Sequence, residues 1–152
     1  MKNLYSTGLL SLLLFTAQLV NAQVDPPLNQ PIPDKPCLFA SLPDKFECNL
    51  PELEKLFSSA TPQKIFLKLN AVLLLDGVLS EKFVRSTQLS SLMIRLNNYS
   101  DALFNLSRIN ENGNIYYTGR IASISHGDLL LLKKENDKYF FIKQQQRFSI
   151  VE

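Results

Sequence analysis

Four hydrophobic patterns follow one another along this 152-residue chain, and each predicts something different. Residues 9–20 are a nearly unbroken apolar run, with only Ser11, Thr16 and Gln18 as polar members. Residues 23–36 hold five prolines and no periodicity. After Asn49, Leu53, Leu56 and Phe57 fall at i, i+3, i+4, the core-facing stripe of a short amphipathic helix that Ser58 to Pro62 ends. Asn49 can cap that helix, Pro51 sits where its missing N–H costs nothing, and Glu52 and Glu54 suit the positive end of the dipole. From Gln63 the period becomes two, the signature of half-buried strands.

The first strand sets Ile65, Leu67 and Leu69 against Lys64, Lys68 and Asn70 and is expected to run to Leu75. Asp76-Gly77 reads as a bulge or tight turn, with a return strand over 78–85. In 89–96, Leu92, Ile94 and Leu96 point inward and Ser91, Met93 and Arg95 outward. Residues 97–101 are turn chemistry. Strands at 102–109 and 115–124 are joined through Asn112-Gly113, the strongest short-range hairpin signal in a sequence. His126-Gly127-Asp128 then turns the chain into an apolar strand, Asn136-Asp137 turns it into Tyr139-Phe140-Phe141, and a last strand follows at 148–151. Consecutive hairpins predict a mainly β (α+β) domain. It is an antiparallel meander of six or seven strands, a sheet or partly open barrel, with one short N-terminal helix covering a face or plugging an end.

The apolar run is too short to span a bilayer, which takes about 20 such residues. Lys2 precedes it and Val20-Asn21-Ala22 follows, so residues 1–22 are expected to be a signal peptide cleaved after Ala22. The residue directly after that point is Gln23 rather than Cys, which argues against a lipid anchor. Residues 23–36 read as a Pro-rich leader and 37–152 as a single β-rich domain. The expected product is secreted or periplasmic, with no membrane association after cleavage.

Removing 22 of the 152 residues leaves 130, enough for one core. Of 16 basic and 14 acidic residues only Lys2 is lost, leaving a net charge of +1. Near-neutrality argues against nucleic acid as the partner. Cys37 and Cys48 remain, an even count in an exported chain, and predict a disulfide closing about 12 residues.

No catalytic, metal or cofactor motif stands out. His126 is the single histidine and lies in a polar turn with Ser125 and Asp128, too close along one turn for a triad. Most acids fall in turns or at strand ends, and nothing marks a pair. Arg108 and Arg120 lie on the two strands of the best hairpin; two such cations need a carboxylate or an anion. Asp128 or the C-terminal Glu152 could supply it, as a structural ion pair or an anion site. Tyr116, Tyr117, Tyr139 and Phe141 concentrate aromatics in neighbouring strands, as a second core layer or as a binding surface.

Residues 50–152, with landmarks Ser107-Arg108-Ile109, Gly119-Arg120-Ile121 and His126-Gly127-Asp128, resemble small uncharacterised exported proteins of the Bacteroidetes type. The resemblance implies a bacterial exported protein and carries no functional residues. The expectation is therefore a non-enzymatic exported domain that binds a protein, inhibitor-like, through a rigid sheet edge or hairpin tip. The rival expectations are an envelope polysaccharide or peptide hydrolase, and a structural or assembly factor of the envelope. Oligomeric state is left open.

Overall fold

The structure, a computed structural model, describes residues 35–146. The expected signal peptide, leader residues 23–34, the strand at 148–151 and Glu152 lie outside the described residues. Strand β1 (Lys45–Glu47) leads into helix α1 (Leu50–Ser58). Seven strands follow: β2 (Gln63–Lys68), β3 (Leu74–Val84), β4 (Leu89–Leu96), β5 (Leu103–Glu111), β6 (Asn114–Ala122), β7 (Asp128–Glu135) and β8 (Lys138–Gln145). They form one antiparallel sheet in the order β1-β8-β7-β6-β5-β4-β3-β2, which does not close. The eighth strand is β1, three residues long and too short to carry a period.

Tight turns set the register. Asn112 and Gly113 have φ of 53° and 86°, and Asn136 and Asp137 have φ of 47° and 63°. Two consecutive left-handed residues make a turn whose twist matches the flanking strands, and Asn, Asp and Gly tolerate it best. They bring Glu111 opposite Asn114 and Glu135 opposite Lys138.

The expected turn at Asp76-Gly77 is a correction. β3 runs straight through it, and the reversal comes earlier, where Asn70 Oδ1 accepts the N–H groups of Val72 and Leu73 at 2.7 and 2.6 Å. Gly77 is needed for another reason: an added Cβ would collide with the carbonyl oxygen of Arg95 on β4. The irregularity in β3 falls between Leu79 and Glu81.

Alternation puts one face inside. Leu92, Leu106, Gly119, Leu132, Phe141 and Phe46 pair in succession across six strands, and all but Gly119 are buried. Gly119 leaves room for them, since a Cβ there would lie 2.8 Å from the Asn105 carbonyl oxygen and 3.2 Å from the Phe104 ring. The two flanks of the sheet meet at one corner. Past β1, Asn49 N–H donates to the Leu69 carbonyl at 2.8 Å, and Asn70 Nδ2 donates to the Glu47 carbonyl at 3.1 Å.

Each end of this curled sheet is covered. At one end α1 buries Leu53, Leu56 and Phe57, with Phe57 on the Tyr117 ring at 6.0 Å between centroids. At the other, Phe39 is fully buried and packs on Tyr99 at 5.4 Å. Phe39 is held there by Asp128, whose two carboxylate oxygens accept the N–H groups of Leu38 at 2.6 Å and Phe39 at 2.8 Å. Asp128 is 2 % exposed. Gly127 N–H donates to the Pro36 carbonyl at 3.0 Å, and an added Cβ on Gly127 would lie 2.9 Å from the Lys35 carbonyl oxygen.

Replacing Asp128 by Ala strands the buried Phe39 N–H and the half-buried Leu38 N–H and should lower the unfolding free energy by about 2–4 kcal/mol. Urea denaturation checks this; Asp128→Asn, which keeps one acceptor, should lose roughly half as much.

Candidate functional site

With one face of the sheet given to the core, binding is left to the outer face and the edges. The two edges differ. β1 is three residues long and carries Lys45 and Glu47; Lys45 bonds Glu135 and lies 4.5 Å from the Phe140 ring centroid, and Lys138 pairs with Glu47 at 3.0 Å. Short, charged edges of this kind resist further pairing.

β2 is twice as long and far more apolar outside. Its sequence alternates so that Ile65 and Leu67 are buried while Lys64, Phe66 and Lys68 are exposed, Phe66 to 72 %. Behind them on β3 stand Val78, Asp76 and Leu74, the register partners of Lys64, Phe66 and Lys68. Leu74 and Val72 are also exposed, which extends the apolar patch around Phe66. Asp76 is engaged with β4's end: its N–H donates to Asn98 Oδ1 at 3.1 Å, and its carbonyl accepts Asn97 N–H at 2.7 Å. Among the described residues β3 is the sole strand beside β2, so one side of the β2 backbone has no ladder partner. The alternation that buries Ile65 and Leu67 was a sufficient signal for the exposed Phe66 between two lysines.

The sites expected from sequence are distributed otherwise. Arg108 pairs with Tyr117 in register, whereas Arg120 pairs with Asn105, an odd offset that puts the two arginines on opposite faces. Arg108 is half-buried on the helix side with its guanidinium carbon 4.9 Å from the Phe57 ring centroid, a cation–π contact. Arg120 is exposed on the outer face. Asp128 points into the opposite, buried side and serves backbone donors. The ion pair or anion site of Arg108, Arg120 and Asp128 is therefore not assembled: side-chain alternation sets Arg120 on the other face from both, and Arg108 and Asp128 lie toward opposite ends of the inner face.

The aromatic surface is likewise corrected. Tyr117, Tyr139 and Phe141 are buried, and Tyr116 is the exposed member, with Lys134 Nζ 5.4 Å from its ring centroid. β6 and β7 pair only from Gly119 to Ala122, and beyond that the Tyr139 hydroxyl takes the Tyr117 N–H at 3.1 Å. The Tyr117 hydroxyl donates to Glu54 at 3.0 Å, joining α1 to the hairpin. Burial first, then the Glu54 bond, pushes the Tyr117 phenol up to about 12.

The expected disulfide is a third correction: Cys37 and Cys48 are both free. Cys48 N–H bonds the Tyr139 carbonyl at one end of β8, while Leu38, next to Cys37, is held by Asp128, which pairs with Gln145 at the other end. Six residues of strand span on the order of 20 Å, against a Cα separation of about 7 Å at most for a disulfide. Burial pushes the Cys48 thiol up to about 12, whereas Cys37 is exposed.

Two concavities lie near these residues. One of 460 Å³, at the corner where the sheet flanks meet, is lined by Cys48, Asn49, Leu69, Asn70 and Tyr139 among others. The other, of 370 Å³, gathers Cys37, Asp44, Asp128 and Lys143. Both of its carboxylates are engaged, Asp128 by backbone and Asp44 by Lys143 at 3.1 Å. His126 Nδ1 lies 3.0 Å from the Ser123 hydroxyl within one turn, and Ser123 is 2 % exposed, so the pair closes the loop. Among the described residues no group of three or more His, Cys, Asp or Glu side chains could hold a metal ion, and no helix is long and apolar enough to cross a membrane.

Comparison with known families, curated proteins and solved structures finds no match for this chain. The geometry alone bears on function.

Two outcomes test this arrangement. A thiol reagent should label Cys37 in the native chain and reach Cys48 only after denaturation, as peptide mass mapping would read. Folding favours the neutral Tyr117 phenol, so its share of stability is complete below its ordinary pKa of 10.0 and is lost as pH climbs from there through about 12. Tyr117→Phe has no proton to lose and should flatten the fall in stability over that window, measured by denaturation at stepped pH.

Proposed function

We propose that this chain is an exported, non-enzymatic domain that binds a protein partner by strand addition at β2. The observation that carries this reading is the edge itself: six residues of regular strand with one side unpaired among the described residues, and Phe66 standing clear between Lys64 and Lys68. Main-chain hydrogen bonds along such an edge supply affinity, and the side chains at alternate positions supply choice of partner. The β6 edge beyond Gly119 is the lesser candidate, because Tyr139 already occupies the Tyr117 N–H.

The signal-like N-terminal run and near-neutral charge fit a protein acting outside the cytoplasm on other proteins. The carboxylates of the 370 Å³ concavity and the Ser123–His126 pair are committed to holding the fold, which supports binding over hydrolysis.

Photocrosslinking tests the reading. With p-benzoylphenylalanine in place of Phe66, the full chain in its own cells should give a discrete heavier band, and the same group at Thr118 on β6 should give none. No band from position 66 would defeat the proposal, and a band of two chain masses would favour the assembly-factor alternative.

A further inference from the structure

We infer that the segment β2 receives is extended and acidic, with two carboxylate side chains flanking an apolar one at alternate positions: acid–x–apolar–x–acid. This rests on the strand-addition reading and goes further by naming the chemistry of the occupant.

The register follows from geometry. A strand laid antiparallel beside β2 must place every second side chain on the same face as Lys64, Phe66 and Lys68. Residues directly opposite each other in such a pair have Cβ atoms about 5 Å apart, so each β2 side chain meets one partner side chain. The two ammonium groups call for carboxylates. Phe66 calls for an apolar or aromatic side chain; directly behind Phe66 stands Asp76, and the exposed Leu74 lies diagonal to it behind Lys68. The intervening x positions turn to the other face, beside the buried Ile65 and Leu67, and are therefore apolar as well.

Charge decides between occupants. A second copy of this chain pairing β2 to β2 antiparallel about Phe66 would set Lys64 against Lys68 and Lys68 against Lys64, like charges face to face, which destabilises a sheet. Neither lysine has an ion-pair partner among the described residues, so both remain to be satisfied. At the opposite edge, Lys45 and Glu47 each already hold a partner. Among the described residues, unpaired positive charge and an open backbone side coincide at β2.

The probe is a pair of ten-residue peptides, one centred on Glu-Val-Phe-Val-Glu and the other on Lys-Val-Phe-Val-Lys, titrated into the isotopically labelled full chain and followed by amide chemical shifts. The Glu peptide should shift the amides of residues 63–68 and bind roughly tenfold more tightly than the Lys peptide, since two cross-strand charge pairs change sign. That margin should shrink as salt rises. The double variant Lys64→Glu/Lys68→Glu, both sites exposed, should reverse the preference, with a melting curve to show that it folds. Phe66→Ala should weaken both peptides. Equal affinity for the two peptides overturns the acidic preference while leaving strand addition standing. No shift at 63–68 with either peptide removes the strand-addition reading itself. Concentration-dependent dimerisation of the free chain, abolished by Phe66→Lys, assigns the edge to a second copy and overturns the inference.

Discussion

A buried carboxylate holding two backbone N–H groups makes it possible for one sheet to enclose a core here. Asp128 sits at the start of β7 and fixes Leu38 and Phe39 of a segment ninety residues away, which drops Phe39 into the open end of the curl. A charged acceptor is worth more to a buried amide than a neutral one, and it leaves no donor stranded. The neighbours of Asp128 serve the same grip. Gly127 admits the Lys35 backbone and bonds Pro36, while His126 and Ser123 close the loop that presents them. The His-Gly-Asp triplet is thus a clasp, and its composition is explained without catalysis.

With that end sealed and α1 over the other, the inner face is consumed by packing. Arg108 belongs to this economy too: its guanidinium stacks on Phe57 beside the Tyr117–Glu54 bond, so the cation helps seat the helix. What remains for contact with other molecules is the outer face and the sheet edges. An open meander must have two edges, and this one protects them unequally. β1 is brief and salt-bridged, whereas β2 is longer and shows an aromatic ring to solvent. A strand edge with an exposed Phe is an aggregation hazard, and flanking lysines are the usual safeguard against indiscriminate pairing. The same lysines make the edge selective.

Much of the fold was legible because its causes are local. The Asn112-Gly113 and Asn136-Asp137 turns, the Leu53-Leu56-Phe57 stripe and the inward Leu92-Ile94-Leu96 set each depend on φ preference or periodicity within a few residues. The site was less legible, for reasons that differ by residue. The separation of Arg108 and Arg120 was available in principle, since the Asn112-Gly113 turn sets the pairing of the whole hairpin and with it the face of each side chain. Gly77 was not, because its role is set by the carbonyl of Arg95, far along the chain on β4. Cys37 and Cys48 looked paired because two cysteines remain in a chain expected to be exported, yet long-range contacts hold them at opposite ends of β8.

By itself, then, the sequence determined the helix, the two left-handed turns and the apolar side of the longer strands, because those follow from backbone preference and the period of two, but not β1 or the unbroken course of β3 through Asp76-Gly77. Only the tertiary structure decided that Asp128 grips Leu38 and Phe39, that the cysteines stay apart, and that β2 has one side open among the described residues. Those are matters of which distant segments share an edge, and strand order across a curled sheet is settled by long-range pairing and by the packing of its ends.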